Sequence, residues 1–388
     1  MTKLALYSRH FHNAEKRGIG VYSHQLVRAM TRLLTQTDTV LWDFFLRKGH
    51  CRHFPQPLGA NFKISAWRIP GRIGDFILPR LPVITPVIQL QGIKLVHFLH
   101  EFCVPKTACN KSIITVHDLG PVLYPSYYES AYRSEWISAL NRGIEQSCRV
   151  LAVSESVRKQ LEEYRPRFAA KYIATPLGVE SFFFSDAFAE SDQRELESSG
   201  IYFPYVLYTG AADPKKNLLR TLQAFSLFLE SSGRSTPHRL VMVGDTNWGG
   251  YSACQEMIRN LGIEKRVHFT GYLAHERLPI YYRNCDLFLF PAAFEGFGLP
   301  LLEAMASGAA CLTSNRPAMN EIGADAVAYC DPDSAESIAG KLLDLLDNST
   351  ARTQLGVAGK KRAKTFSWMH TARATLEVYE HVLGHKLI

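Results

Sequence analysis

The stretch from Cys285 to Gly308 reads CDLFLFPAAFEGFGLPLLEAMASG. It opens on an unbroken apolar run, Leu287-Phe288-Leu289-Phe290, ended by Pro291. A run that short, closed by proline, predicts a strand buried on both faces of a parallel sheet. A loop with Gly296 and Gly298 follows. Pro300 then stands where the first helical turn would begin, a place where its missing N–H costs nothing. Leu301, Leu302, Ala304 and Met305 carry the helix, and Gly308 suits its C′ position. Strand, glycine loop and helix N-terminus together aim backbone N–H groups and a positive dipole end at an anion. Two carboxylates bracket the arrangement: Glu295 in the loop and Glu303 one turn into the helix. From composition alone, Glu295 would be a solvated loop charge and Glu303 a surface residue.

Around this stretch the second half of the chain alternates strand and helix. Strands are predicted at 205–208, 240–243, 267–269, 287–290 and 310–313, with helices near 217–231, 251–261, 276–283 and 300–307. That alternation is the pattern of a doubly wound parallel sheet. Asp333 and Glu336 have the spacing of a capping box before Ile338, Leu342, Leu345 and Leu346. Asp331-Pro332-Asp333 therefore reads as loop plus cap, not as a metal-binding D-x-D. Residues 181–203, polar and acidic with a few aromatics, read as a connection, and FSWMHTARATLEVYEHVL (366–383) as a last helix. The loop Tyr208-Thr209-Gly210-Ala211-Ala212-Asp213-Pro214-Lys215-Lys216-Asn217 lies between a strand and a helix, so its lysines sit beside a helix N-terminus. Taken alone they are two solvated charges.

The first half repeats the theme. LALYSR (4–9) reads as a strand, followed by a basic and imidazole-rich loop with Arg9, His10, His12, Lys16 and Arg17. Gly18-Ile19-Gly20 then opens a helix with Leu26, Val27, Met30, Leu33 and Leu34 at helical spacing. As a dinucleotide fingerprint this fails, because Ser23 stands at the third glycine position. Residues Val40-Leu41 with Phe44-Phe45, the segment 62–67 and the segment 93–98 are strand-like, while the proline-rich tract 79–86 reads as irregular. Ile113-Ile114-Thr115-Val116 is a buried strand with His117 and Asp118 at its C-terminal end, where open α/β sheets bind ligands. Asp118 could orient His117 or cap the next turn. A helix over 128–148, a strand over 150–153, a Ser-capped helix from Ser154 and a strand at 172–174 complete this half.

With 388 residues, two domains of ordinary size are expected, and 46% hydrophobic with 21% charged residues is a globular composition. The charge is lopsided. Residues 1–185 hold 24 basic and 13 acidic side chains, net +11, and residues 186–388 hold 20 and 23, net −3. A basic first half suggests an acidic partner: an anionic membrane surface, a lipid-linked phosphate or, least of all, nucleic acid, for which no recognition motif is present. The eight cysteines (51, 103, 109, 148, 254, 285, 311, 330) form no C-x-x-C, which points to free thiols in a reducing compartment; Cys103 and Cys109, the closest pair, have no histidine pair at metal spacing beside them. Met1 leads straight into a strand-like segment, and no apolar run approaches 18 residues. A cytoplasmic chain is expected, with contact at the inner face of a membrane as a further expectation.

The string Glu295, Gly296, Phe297, Gly298, Leu299, Pro300, Glu303 and Ala304 resembles the E-x7-E element of retaining, nucleotide-sugar-dependent glycosyltransferases of family 4. RGIGVY (17–22), ITVHDLGPVLYPSYY (114–128) and VLAVSESVRKQL (150–161) resemble further pieces of the same family, the second of them particularly as found in bacterial polysaccharide mannosyltransferases. The resemblance covers nearly the whole chain and implies the GT-B fold: two Rossmann-like, doubly wound α/β domains facing each other across a cleft. It implies an acceptor-side domain over 1–185, a nucleotide-sugar-binding domain over 186–369 and a C-terminal helix, 370–388, packing back on the first. By the same resemblance Glu295 holds hydroxyls of the donor sugar and Glu303 those of the ribose. Lys216 matches the lysine on the donor diphosphate, and His117 lies near the donor sugar. Gly18 and Gly20 let backbone approach the acceptor or the donor diphosphate, and Gly210, Gly296, Phe297, Gly298 and Leu299 belong to the donor side. The family often has an arginine shortly after the glycine where Ala211 and Ala212 stand here. Lys215 can replace it only as a point charge, without the two-pronged bond.

The resemblance implies a retaining hexosyltransferase of surface polysaccharide synthesis, independent of any metal. GDP-mannose is its first expected donor and a UDP-sugar the second, with a glycan or lipid-linked oligosaccharide as acceptor. Three other readings stand beside it. Glu295 and Glu303 could be the acid and nucleophile of a hydrolase, although a glycine loop facing a phosphate-type site speaks against that. An epimerase or phosphorylase on the same architecture is the second. A silent partner protein is the third, and its expected signature, loss of Lys216, Glu295 or Glu303, is not seen.

Overall fold

The computed structural model describes residues 2–8, 10–11, 18–43, 53–66, 92–101, 111–185, 190–211, 213–233, 236–244 and 250–388. Arg9, His12, Lys16, Arg17, Phe44, Phe45, Trp67, the tract 79–86, Ala212, Cys51, Cys103 and Cys109 lie outside them. The chain divides into two compact units, 1–178 with 367–388, and 179–366. The sequence reading places the dividing points a little later, at 185/186 and 369/370.

The first unit is built on seven parallel strands: β1 (Lys3–Tyr7), β2 (Asp38–Asp43), β3 (Phe62–Ala66), β4 (Leu95–Phe98), β5 (Ser112–Val116), β6 (Arg149–Ala152) and β7 (Tyr172–Ala174). Their order is β3-β2-β1-β4-β5-β6-β7. Leu4, Ala5, Leu6 and Tyr7 of β1 are fully buried, as a central strand covered on both faces requires. The helix Ile19–Leu33 follows β1 and packs against the C-terminal helix Trp368–Leu383. That last helix starts on Ser367, whose side chain accepts from the His370 N–H. Ser154 caps the helix Glu155–Tyr164 in the same way, accepting from Val157 N.

The second unit has six parallel strands: β8 (Tyr205–Thr209), β9 (Arg239–Val243), β10 (Val267–Gly271), β11 (Leu287–Phe290), β12 (Cys311–Ser314) and β13 (Ala328–Cys330). The order is β10-β9-β8-β11-β12-β13. All four residues of β11 are fully buried, and it pairs with β8 through Leu287 beside Val206 and Phe288 beside Leu207. In both sheets the direction of winding reverses at one place, between β1 and β4 and between β8 and β11. Open α/β sheets bind ligands outside the strand C-termini at such reversals. The loops that leave β8 and β11 there are the two that carry Lys216 and Glu295.

Several elements differ from the sequence reading. The connection 181–203 contains the helix Glu190–Ser198. The helix Pro317–Gly323, β13 and the helix Ser349–Ala363 have no counterpart in the predicted elements. The helix Ser349–Ala363 has no apolar stripe because it packs through small residues. Gly356, Gly359 and Ala363 are buried; a Cβ on Gly356 would collide with the Gly308 carbonyl oxygen, and one on Gly359 would press on Met305 of the helix Leu299–Ala306. The cap of the helix Ala335–Leu346 is Ser334, not Asp333: its hydroxyl accepts from Ser337 N at 3.0 Å. Asp333 instead pairs with Arg316 and, at 3.5 Å, with Arg220. Cys254, Cys311 and Cys330 are buried free thiols, and burial pushes their pKa up, to about 11 for Cys254. Among the described residues no helix is long and apolar enough to cross a membrane.

Candidate donor site

Because β8 and β11 are neighbours, their C-terminal loops meet. After β8, Gly210 takes φ 149°, a backbone state that favours glycine, and its N–H donates to Val243 O at 2.9 Å. Gly244 is tied to the same spot, since a Cβ there would strike the Gly210 carbonyl oxygen. Asp213 then accepts from Lys215 N at 3.0 Å and starts a single 3-10 turn, Pro214–Lys216. Asn217 is left-handed at φ 61°, and the helix Leu218–Ser231 begins after it. The lysines thus sit on a separate turn ahead of the helix, not on its first residues.

That turn is bolted to the β11 loop. The carbonyl of Lys215 accepts from Ala293 N at 2.9 Å and Phe294 N at 3.3 Å. The buried Asn217 amide donates to Pro291 O at 2.9 Å and Pro332 O at 2.7 Å. Tyr208 OH donates to Lys216 O at 3.1 Å. With both loops fixed, the Lys216 ammonium forms an ion pair with Glu295 Oε1, and the two side chains are only 17% and 11% exposed. Lys216 Nζ also lies 5.1 Å from the centre of the Phe290 ring, a cation–π contact. The two motifs, one from each loop, therefore form one cluster.

Glu295 leads into Gly296, Phe297 and Gly298. Phe297 is buried and meets Phe366 edge-on at 6.1 Å, which anchors the loop. Gly298 has φ 107° and is the N-cap of the helix Leu299–Ala306, with no side-chain cap on that end. The first N–H groups of a helix have no intrahelical partner, so this end offers donors and a positive dipole beside Lys216 and Glu295.

Glu303 is not a surface residue. It is 5% exposed, and both carboxylate oxygens are engaged. Tyr282 OH donates to Oε2 at 3.1 Å, and His275 Nε2 lies 2.9 Å from Oε1. His275 Nδ1 faces Glu180 Oε1 at 3.4 Å. Burial works against charging this ring, but Glu303, with its hydrogen bond, Glu180 and Glu276 outweigh it, and the pKa is pushed up to about 9. Sequence reasoning misses His275, Tyr282 and Glu180. No spacing signals them, since they come from three different segments.

The remaining candidates lie in the first unit. His117 follows β5, and its Nε2–H donates to Leu99 O at 2.9 Å. The Tyr22 ring stands edge-on to it at 4.9 Å, placing His117 beside the helix that Gly18 and Gly20 open. Gly18 has φ 39°, while Gly20 is an ordinary helical residue on which a Cβ would lie 3.8 Å from His10 Cβ. Asp118 caps the next turn, accepting from Gly120 N at 2.9 Å. Beneath them, Tyr22 OH meets Thr115 Oγ1 at 2.8 Å, Thr115 meets His97 Nε2 at 2.8 Å, and His97 Nδ1 meets Tyr379 OH at 2.6 Å. Among the described residues no three His, Cys, Asp or Glu side chains gather as a metal site.

Two parallel sheets with one reversal point each, an uncapped helix end and a lysine–glutamate cluster are the arrangement of the GT-B fold, the fold of nucleotide-sugar-dependent glycosyltransferases that this chain resembles. Residues 192–362 match the family described as glycosyl transferases group 1, a match that lies within the second unit. The chain is 26% identical over 270 residues to O-antigen chain mannosyltransferase B of Escherichia coli, covering 70% of each. It is also 26% identical over 278 residues to the serotype-specific mannosyltransferase WbdA of Escherichia coli, of which it spans 34%. In fold it is similar to sucrose-phosphate synthase from Thermosynechococcus elongatus, with a TM-score of 0.77, 20% identity, and 99% and 100% of the two chains covered.

Proposed function

We propose that this enzyme transfers mannose from GDP-mannose, with retention of configuration, to a glycan or lipid-linked acceptor in surface polysaccharide synthesis. The observation that carries the reading is the Lys216–Glu295 cluster at the β8/β11 reversal, beside the N-terminus of the helix Leu299–Ala306. A nucleoside-diphosphate leaving group gains negative charge as the glycosidic bond breaks, and preorganised positive groups must receive it. Lys216 has three donor hydrogens. One serves Glu295, and the others serve the diphosphate. Lys215 adds a second point charge, and the N–H groups from Gly296 to Leu299 complete the cradle. Glu295, held by Lys216, positions the sugar hydroxyls, and Glu303 holds those of the ribose. His117, its ring orientation held by Leu99 O, is the first unit's candidate for a sugar contact. The leaving phosphate accepts the proton of the acceptor hydroxyl, so the reaction needs no separate protein base, while Lys216 and the N–H cradle take the charge-stabilising part that a metal would otherwise play. The two Escherichia coli mannosyltransferases support mannose as the sugar. A basic first half fits a working place at the inner face of an anionic membrane.

The test is turnover against GDP-mannose and a panel of UDP-sugars, with and without chelator. Release of GDP from GDP-mannose alone, unchanged by chelator, is the expected result. Turnover of a UDP-sugar instead, or loss of activity with chelator, would overturn the donor or the metal-free assignment respectively.

A further inference from the structure

His275 opens the short turn His275–Arg277 ahead of the helix Leu278–Asn284. Its ring lies between two carboxylates from different segments, Glu303 at 2.9 Å from Nε2 and Glu180 at 3.4 Å from Nδ1. The side chains of these two acids are 7% and 8% exposed, and that of His275 is 12% exposed. Phe182 and Phe183 meet the ring at 5.7 and 5.2 Å and shield it from water. On the far side of Glu303, Tyr282 OH is held in turn by Thr209 Oγ1 at 3.1 Å. The charged and titratable groups facing the imidazole are therefore Glu303, Glu180 and Glu276, with Tyr282 beyond.

We propose that His275 is a positioning residue: as an imidazolium shared by Glu180 and Glu303, it fixes the Glu303 carboxylate for the ribose diol of the donor. The proposal rests on the donor reading of Glu303 given above. A carboxylate offers about four lone-pair positions. His275 and Tyr282 use one on each oxygen, which leaves one on each oxygen, the number that two adjacent hydroxyls require. Only the protonated ring has an N–H at both edges, so only the cation can serve both acids at once. The raised pKa of the ring agrees with that state. Without the cation two nearly buried acids would face each other, and one would protonate or turn away. Anchored on both oxygens, Glu303 loses little freedom when the donor binds.

The test is calorimetric binding of GDP and 2′-deoxy-GDP, with UDP and 2′-deoxy-UDP in parallel, to the wild type, His275→Ala and His275→Gln. Melting curves establish that each variant is folded. The wild type is expected to prefer the ribonucleotide by roughly tenfold or more, the scale of a hydrogen bond to a charged group. His275→Ala should reduce that preference to about threefold or less. It should also raise the donor KM while kcat at saturating donor changes little. His275→Gln, which keeps one N–H toward Glu303, should recover part of the preference and lose the decline that the wild type shows as the pH rises through about 9. If the wild type discriminates and both variants keep the full preference, His275 does not position Glu303. If the wild type does not discriminate with either base, Glu303 does not hold the ribose, and the donor reading fails first.

Discussion

His97 in the first unit and His275 in the second are both imidazoles enclosed by protein, and they end in opposite states. His97 is fully buried and meets only hydroxyls, Thr115 on one side and Tyr379 on the other. Burial, reinforced by the nearby His117, holds its pKa at about 3, so the ring is neutral. His275 suffers the same burial penalty, but two carboxylates face it, and its pKa is about 9. The partner chemistry decides the outcome. A neutral histidine between hydroxyls is a structural tie joining β4, β5 and the C-terminal helix. A charged histidine between acids holds a carboxylate in a chosen orientation, which is a task for a binding site.

The two regions should answer differently to mutation. The largest effect belongs to the second unit. Glu295→Ala removes the partner of Lys216 and the group assigned to the sugar, and turnover should fall on the order of 10- to 150-fold with the fold intact. Unchanged turnover by initial-rate assay would remove Glu295 from its role. The first unit should respond in stability instead. Tyr379→Phe leaves a buried nitrogen of His97 without its hydroxyl, at a cost of about 1–3 kcal/mol. That lowers the melting temperature of the first unit by roughly 2–4 °C per kcal/mol, the scale for a unit of its size, while kcat holds steady. A melting curve identical to the wild type would show that the tie contributes nothing.

The smallest effects are those of pH, and their signs differ. The folded pKa of His275 lies above its ordinary 6.5, so its contribution to stability is complete below about 6.5 and is lost as the pH rises through about 9. The melting-point gap between the wild type and His275→Gln should narrow over that window. The folded pKa of His97 lies below its ordinary value, so the folded state resists protonation there. Its contribution is complete above about 6.5 and declines as the pH falls toward about 3, and the gap to His97→Gln should narrow on the acid side. Two gaps moving in the same direction with pH would contradict the assignment of one charged and one neutral ring.

The features legible in the sequence are those that lie along one strand and its following turn. The run Leu287–Phe290, the loop to Gly298 and the lysines before Asn217 carry their geometry locally, and the order of β8 and β11 does the rest. Contacts between segments leave no such mark. His275 lies 28 residues from Glu303 and has no periodic neighbour to betray it. The helix Ser349–Ala363 escapes a periodicity reading because Gly356 and Gly359 pack by close approach rather than by apolar bulk. The cap at Ser334 is displaced by one residue from the expected Asp333, an equally good capping type, because Arg316 and Arg220 draw that aspartate away.

The central claim is that Lys216 receives the donor diphosphate. The direct measurement is calorimetric binding of GDP and of guanosine to the wild type and to Lys216→Ala. GDP affinity should drop on the order of 10- to 150-fold in the variant while guanosine binding stays the same. Equal GDP affinity in the two proteins would contradict the claim and move the diphosphate away from the β8/β11 reversal.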